Sequence, residues 1–290
     1  MENHDVIIIG AGPAGLSTAI RLRELGVKDV VVLEREGQAG GVPRHCGHFG
    51  FAWESHKRLM TGPTYAIKIL DQAHDIDIRT STTVLEFTMR NTLRVHSSKG
   101  ITDMSAKRVI LATGTRESPR SALLKGGNRL PGVMNTGTLQ QHVYLQNHKP
   151  FSKPAIIGQE WITYSALMTC KHAGIKPIGI FAEENLETPW FFPMGAKLRY
   201  GVPTQIKTKL IAIHGASHVE AIEVERNGLR KLIDCDGVIL TGKFVPELAL
   251  LANFAASVVK SGNVLGTVNT AGRCFVDARV IAEKIAKDLQ

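Results

Sequence analysis

The sequence predicts an α/β fold built on two βαβ units, and three observations carry that prediction. First, the apolar run Val6–Ile9 leads directly into Gly10-Ala11-Gly12-Pro13-Ala14-Gly15. An amphipathic stretch follows, and a second apolar run, Val30–Leu33, ends on Glu34. This glycine spacing between a strand and a helix, with an acid closing the next strand, is the pattern of a dinucleotide-binding crossover. Second, the same succession returns in weaker form. Pro154–Ile157 meets Gly158, a helical stretch runs from Trp161 to His172, and Pro177–Phe181 ends in Ala182-Glu183-Glu184. Third, each unit is followed by short β-rich runs, so the expected class is α/β with two dinucleotide-binding, Rossmann-like halves.

Each residue type in the first motif has a physical reason. Gly10 permits the tight turn, Gly12 lets the backbone approach a pyrophosphate, and Gly15 lets helix and strand pack closely. Glu34 can accept hydrogen bonds from a ribose diol. Leu16, Ala19, Ile20, Leu22 and Leu25 form one apolar stripe, and Gly26 stands where a C-cap belongs. The helix N-terminus then offers N–H groups and a positive dipole end to a diphosphate.

Further along, a loop runs from Gly37 to Gly50, and Gly62-Pro63 precedes a helical pattern over Thr64–Ala73. Ile76–Ile78, Thr82–Met89 and Thr92–His96 read as strands, the last two as a hairpin turning over Arg90-Asn91. Val109–Ala112 is a further strand, ending on Thr113-Gly114, and Pro119–Thr138 reads as a connection broken by Gly126-Gly127 and Pro131-Gly132. Gln205–Ile213, Val219–Val224 and Leu229–Leu240 are strand-like. The chain closes on a helix, Ala271–Leu289, whose Ala278, Ile281, Ala282, Ile285 and Leu289 are spaced to pack on a sheet.

The composition, 43% hydrophobic and 21% charged over 290 residues, is that of one large or two ordinary globular domains. The net charge of +9 is scattered and aromatic residues are only 6%, which argues for anionic cofactors or an acidic partner and against nucleic-acid binding. Cys46, Cys170, Cys235 and Cys274 form no C-x-x-C pair, so neither a disulfide framework nor a zinc site is expected. His45, Cys46 and His48 are too tightly spaced for a usual tetrahedral metal site. Met1 leads at once into the first strand, leaving no room for a signal peptide. The longest late apolar stretch, around Leu248–Val259, is too short to span a bilayer, so a cytoplasmic location is expected. Cys170 falls on an apolar helix side and reads as a core residue. Trp190-Phe191-Phe192-Pro193 is the one dense aromatic cluster, open to reading as core, lid or subunit contact, with the contact favoured.

Three segments resemble the two-dinucleotide-domain flavoproteins of the pyridine-nucleotide-disulfide-oxidoreductase type: Gly10–Gly15, Ala112-Thr113-Gly114, and Ser261-Gly262-Asn263-Val264. Gly40–His48, Thr115–Arg120 and Thr136–Gln141 resemble one branch of them more narrowly. That branch holds the alpha-type FAD subunits of hydroxyproline and proline dehydrogenases, opine oxidases and hydrogen cyanide synthase. The resemblance implies an FAD-binding domain of residues 1–118 and 243–290, discontinuous in sequence, and an NAD(P)-binding-like domain of residues 119–242. Gly10, Gly12, Pro13, Ala14 and Gly15 would hold the FAD diphosphate, Glu34 and Arg35 would lie at the adenosine ribose, and the main chain near Val84 would meet the adenine. Gly41, Val42, Arg44 and His45 would be cofactor-binding, the stretch through Cys46 and His48 reading either as a flavin-facing loop, with Arg44 or His45 supplying positive charge or a hydrogen bond, or as a plain structural turn. Ala112, Thr113 and Gly114 would close over the middle of the cofactor, while Gly262 and Asn263 would meet its ribityl and diphosphate region. Thr270 and Ala271, at the start of the last helix, would face the flavin pyrimidine edge, where a positive dipole end stabilises negative charge.

The sequence also departs from that pattern. Glu160 occupies the second glycine position of the second unit and Thr163 the third, which disfavours NAD(P) binding there. Nothing resembles a redox dithiol, and no cysteine-rich iron–sulfur extension is seen. The strand that normally precedes Gly262-Asn263 would have to come from Phe254–Val259. The expected function is FAD-dependent oxidoreduction by the electron-handling subunit of a hetero-oligomeric amino-acid or amine dehydrogenase. Its expected partners are an iron–sulfur protein and a second flavoprotein subunit, and its substrate is a small molecule. The alternatives are a stand-alone NAD(P)H-dependent flavin reductase and a non-catalytic FAD-binding assembly subunit. No catalytic residue is singled out.

Overall fold

The computed structural model describes residues 1–123, 126–251 and 258–290. The chain forms two compact units, residues 1–116 with 245–290, and residues 117–244.

Unit 1 opens with β1 (Glu2–Ile9), α1 (Pro13–Glu24) and β2 (Val30–Leu33). It continues through α2 (Gly62–Gln72), β3 (Asp77–Arg79), β4 (Thr83–Met89), β5 (Thr92–Ser97) and β6 (Gly100–Leu111). The strand order is β3-β2-β1-β6-β5-β4. The first four strands run parallel, and β5 and β4 add an antiparallel hairpin whose turn contains Asn91 at φ 59°. At 12 residues, β6 is much longer than its apolar end suggested. Its first half pairs with β5, while Arg108–Leu111 lies beside Val6–Ile9.

Register converts this topology into a site. Ile9 stands opposite Leu33 on one side and Leu111 on the other. Three parallel strands therefore end in one line, and Gly10, Glu34 and Ala112 emerge from it side by side. The strand Val259–Lys260 pairs with Ile110 and Leu111 and delivers Ser261-Gly262 to the same edge. Of the expected strand Phe254–Val259, residues 254–257 lie outside the described residues.

One face of the sheet is covered by α1, α2 and the closing helix Ala271–Leu289. Leu16, Ala19 and Leu22 of α1 bury against Phe275, Ala278, Ala282 and Ile285. The two helices are also tied by polar contacts: the Ser17 hydroxyl donates to the Phe275 carbonyl at 2.6 Å, and Arg21 pairs with Glu283 at 2.7 Å. Leu25, counted in the apolar stripe, instead lies past the last turn and is partly exposed, with Gly26 at φ 90° behind it. The opposite face buries Ile7, Ile9, Val31, Leu33, Val84, Phe87, Leu93 and Val95.

Unit 2 contains β7 (Val133–Asn135), the short helix Thr136–Gln140, β8 (Ala155–Ile157), α3 (Trp161–His172), β9 (Gly179–Phe181), α4 (Phe191–Tyr200) and β10 (Thr204–Gln205). The hairpin strands β11 (Lys209–His214), β12 (Ala221–Arg226) and β13 (Leu229–Asp234) follow, then β14 (Val238–Leu240). A parallel sheet has the order β7-β14-β8-β9-β10, and β11, β12 and β13 run antiparallel in a second sheet, to which Gly126–Gly127 adds a short strand parallel to β11. The run Leu229–Leu240, expected as one strand, is two: it breaks at Cys235–Gly237, and its halves enter different sheets. Helix α4 was not expected, because Pro193 and Gly195 interrupt its pattern. It divides the aromatic cluster. Phe192 packs on Trp161 and Tyr164, with ring centroids 4.8 and 5.1 Å away, while Trp190 is 73% exposed and Phe191 is 52% exposed. Among the described residues no helix is long and apolar enough to cross a membrane.

Candidate dinucleotide site

The turn after β1 is shaped by what a side chain would strike. Gly10 has φ 107°, and a Cβ there would lie 2.6 Å from the Ala112 carbonyl oxygen. A Cβ on Gly15 would overlap the Gly10 carbonyl oxygen and stand 3.3 Å from the Ala112 Cβ. At these two glycines the turn itself leaves no room for a side chain. Gly12 differs: a Cβ on it would meet only the Gly41 Cα, at 3.9 Å. The open space over Gly12 is where an approaching diphosphate needs bare backbone.

Helix α1 begins with Gly12 as N-cap and Pro13 at its first position. No side chain caps it and no acid stands in its first turn. Its leading N–H groups and positive dipole end are thus left for an anion. Gly41 (φ 63°) seals one side: a Cβ on it would approach the Gly12 Cα to 2.8 Å, and the Gly40 N–H donates to the Ala11 carbonyl at 2.8 Å. On the other side a Cβ on Gly262 would lie 2.6 Å from the Ala14 Cβ. The cradle thus holds Gly10–Gly15, Gly41, Ala112 and Gly262 from four separate segments.

Glu34 leaves β2 beside this turn and is 8% exposed. Its carboxylate accepts the Ala11 N–H at Oε2 and the Glu36 N–H at Oε1, both at 2.9 Å. These two bonds fix the carboxylate at the strand end with lone pairs left over for hydroxyl donors. Its main chain is tied to the next strand, since the Thr82 N–H donates to the Glu34 carbonyl at 2.9 Å, and Val84 follows, buried in β4. Arg35 points outward and is exposed.

The remaining expected residues are distributed as follows. Val42 and Arg44 lie in a one-turn 3-10 helix, Val42–His45, where Val42 is exposed and His45 buried. Arg44 turns its guanidinium to Glu36 and to Gln38, so its charge is offset inside the loop. Thr113 donates its hydroxyl to the Glu247 carbonyl at 2.8 Å, and Glu247 N–H returns to the Gly114 carbonyl at 3.0 Å. Asn263 closes a loop upon Asn269, donating from Nδ2 to its carbonyl at 3.0 Å and accepting its N–H at 2.8 Å. Thr270 caps the closing helix, its hydroxyl accepting the Arg273 N–H at 3.2 Å and donating to Glu54 Oε1 at 2.7 Å. Glu54 thereby brings a carboxylate to the helix start beside Ala271 and Gly272, and no sequence spacing connects residues 54 and 270.

All four cysteines are buried and none is paired in a disulfide. Burial pushes the Cys170 thiol up to about 12, and the Cys274 and Cys235 thiols up to about 11.

A model of the pyridine nucleotide-disulphide oxidoreductase family matches residues 4–174, more than half of the chain. The chain belongs to that family. FAD is the cofactor of that family, and the cradle in unit 1 fits it, with bare backbone at Gly12, an uncapped helix and a fixed carboxylate at Glu34. Among similar proteins, the alpha subunit of sarcosine oxidase from Rhizobium meliloti is 23% identical over 85% of this chain and 25% of its own length. A subunit of opine oxidase from Agrobacterium tumefaciens is 24% identical over 85% and 54%. The HcnB subunit of hydrogen cyanide synthase from Pseudomonas protegens is 30% identical over 60% and 37%. The chain therefore spans a quarter to about half of the length of these relatives. Of solved structures, thioredoxin reductase from T. acidophilum superposes with a TM-score of 0.81 at 19% identity, covering 99% of both chains. L-proline dehydrogenase from P. horikoshii gives 0.75 at 16%, covering 99% of this chain and 55% of that one. These likenesses show the oxidoreductase fold, with its FAD/NAD(P)-type α/β architecture.

Proposed function

We propose that unit 1 binds FAD in extended form and that the chain is the electron-handling flavoprotein subunit of a hetero-oligomeric amino-acid or amine dehydrogenase. The observation that carries this reading is the contrast between the two crossovers. In unit 1 the backbone over Gly12 is bare and the helix start is free of acids, whereas in unit 2 the corresponding position is Glu160. The relatives named as subunits of sarcosine oxidase, opine oxidase and hydrogen cyanide synthase support the role of one subunit in a larger complex.

On this reading the N–H groups at Ala14 and Gly15 and the dipole of α1 hold the diphosphate, and Glu34 takes the ribose diol. Gly41 and Gly262 wall the channel on either side. Thr270, Ala271 and the dipole of the closing helix face the far end of the cofactor, where Glu54 sets the local charge. The FAD, when bound, supplies the two-electron oxidation and onward electron transfer. Partners are an iron–sulfur protein and a second flavoprotein subunit, the substrate is a small molecule, and the location is cytoplasmic.

The test is anaerobic. The purified flavoprotein is mixed with NADH or NADPH, and in a parallel sample with a secondary amine or amino acid plus its co-expressed partner subunit. Bleaching of the flavin band is expected only in the second sample. Rapid bleaching by a nicotinamide nucleotide alone would overturn this reading in favour of a stand-alone reductase.

A further inference from the structure

Unit 2 keeps the crossover β8-α3-β9 but not the glycines of its turn, and the structure shows what replaced them. β8 and β14 are adjacent and parallel, with Ile157 opposite Leu240. The turns Gly158–Glu160 and Thr241–Gly242 therefore leave the sheet together at its carboxyl edge, where open α/β sheets take their ligands. Helix α3 begins at Trp161 with Glu160 as N-cap, and the Glu160 side chain does not cap its own helix. The carboxylate instead folds back across the edge. The Gln159 N–H donates to its Oε2 at 3.1 Å, and the carboxylate lies flat on Gly242, so closely that a Cβ there would overlap it. A Cβ on Gly158 would stand 3.1 Å from the same Oε2.

A second carboxylate comes to the same edge. Glu117, 7% exposed, accepts the Gly242 N–H at 3.1 Å and the Gly137 N–H, in the first turn of the helix Thr136–Gln140, at 2.8 Å. Gly242 is thus clasped by two acids of the chain itself, one on its N–H and one over its Cα. The Gln159, Gly242 and Gly137 N–H groups at this edge are already given to carboxylates, and the carboxylates add negative charge where an anion would have to arrive. Thr163, at the third glycine position, lies below this edge. It is fully buried, with its hydroxyl 2.7 Å from that of Thr241, and does not obstruct the surface above.

We propose that Glu160 is the specificity-determining residue of unit 2: its carboxylate, seated on Gly242, stands where a dinucleotide's phosphates would lie and excludes NAD(P). The protein then takes its electrons from a donor other than a nicotinamide held in unit 2. This deepens the reading under Proposed function and rests on the same contrast between the two crossovers, with the role of Glu160 tested by ligand binding and not by flavin reduction.

The experiment measures binding of ADP-ribose, NADH and NADPH to the full chain by calorimetry, with and without excess FAD. Binding that survives excess FAD reports on unit 2 alone, so a failure of the flavin site of unit 1 is told apart from a failure of this proposal. The variants are Glu160→Ser, which places a favoured N-cap residue at the start of α3, and Glu160→Gly. Wild type is expected to bind none of the three ligands in the presence of FAD, and the variants are expected to gain ADP-ribose affinity by at least about tenfold. Should neither variant fold by circular dichroism, Glu160→Gln keeps the shape, removes the charge and carries the same test. Wild-type binding of NADH or NADPH at the strength seen in the variants would overturn the proposal. So would a folded variant that gains nothing.

Discussion

Alanine at Gly15 and alanine at Gly12 are the same chemical change three residues apart, and the structure gives them opposite consequences. At Gly15 the new methyl would overlap the Gly10 carbonyl oxygen and crowd the Gly10 carbonyl carbon at 3.1 Å and the Ala112 Cβ at 3.3 Å. The oxygen belongs to the turn after β1 and cannot swing aside as a side-chain tip could. Helix α1 must therefore move off the sheet, loosening the packing of Leu16, Ala19 and Leu22. Overpacking of this kind costs about 1–3 kcal/mol, and the melting temperature of unit 1 should fall by roughly 2–10 °C. At Gly12 the methyl meets only the Gly41 Cα at 3.9 Å, and the backbone there, φ −82° and ψ −177°, suits alanine. Gly12→Ala should melt within about 1 °C of wild type while weakening FAD by at least about tenfold, because the methyl fills the space a diphosphate needs. The assay is thermal unfolding of both apoproteins followed by FAD titration. Equal loss of stability in the two variants, or full FAD affinity in Gly12→Ala, would refute the reasoning.

Three further outcomes follow from the same geometry. Glu34→Gln leaves one of the Ala11 and Glu36 N–H groups facing an amide NH₂ rather than an oxygen. It should cost about 1–3 kcal/mol in unfolding free energy and weaken FAD, read by denaturant titration and by flavin binding. Burial raises Glu117 above the ordinary 4.5, against the pull of the Gly137 and Gly242 N–H groups, with Glu160 adding to the rise. A carboxyl raised on folding stabilises the protein most below its unfolded value and loses that contribution as pH climbs through its folded value. The stability of wild type should therefore fall from pH 4.5 upward by a component absent in Glu117→Gln, and parallel pH profiles of the two would contradict this. Thr270→Ala removes the cap on the closing helix and should destabilise unit 1 by about 1 kcal/mol, measured by urea unfolding.

Much of the fold is legible in the sequence wherever a local signal is complete. Helix Trp161–His172 and the closing helix Ala271–Leu289 have the bounds their periodicity implies, and the hairpin after Thr82 turns where Arg90-Asn91 said it would. The misreadings arise where tertiary context overrides the local pattern. Helix α4 forms through Pro193 and Gly195 because Phe192 has Trp161 and Tyr164 to pack on. The polar first half of β6 looks unlike a strand, since β5 pairs with it and solvent covers much of it. Leu229–Leu240 reads as one apolar run, yet its two halves serve different sheets. In the site, Gly10, Gly12, Gly15 and Glu34 announce themselves by spacing. Glu54 at the start of the closing helix and Glu117 on Gly137 and Gly242 do not, since their partners lie 216, 20 and 125 residues away and only the register of the strands and helices brings them together.

The most direct measurement is the chromophore of the purified chain. Its denatured supernatant should yield one FAD per chain, and FAD returned to the apoprotein should restore the flavin spectrum and raise the melting temperature. A colourless protein that neither binds added FAD nor melts higher in its presence would contradict the assignment of the cofactor to the Gly10–Gly15 cradle.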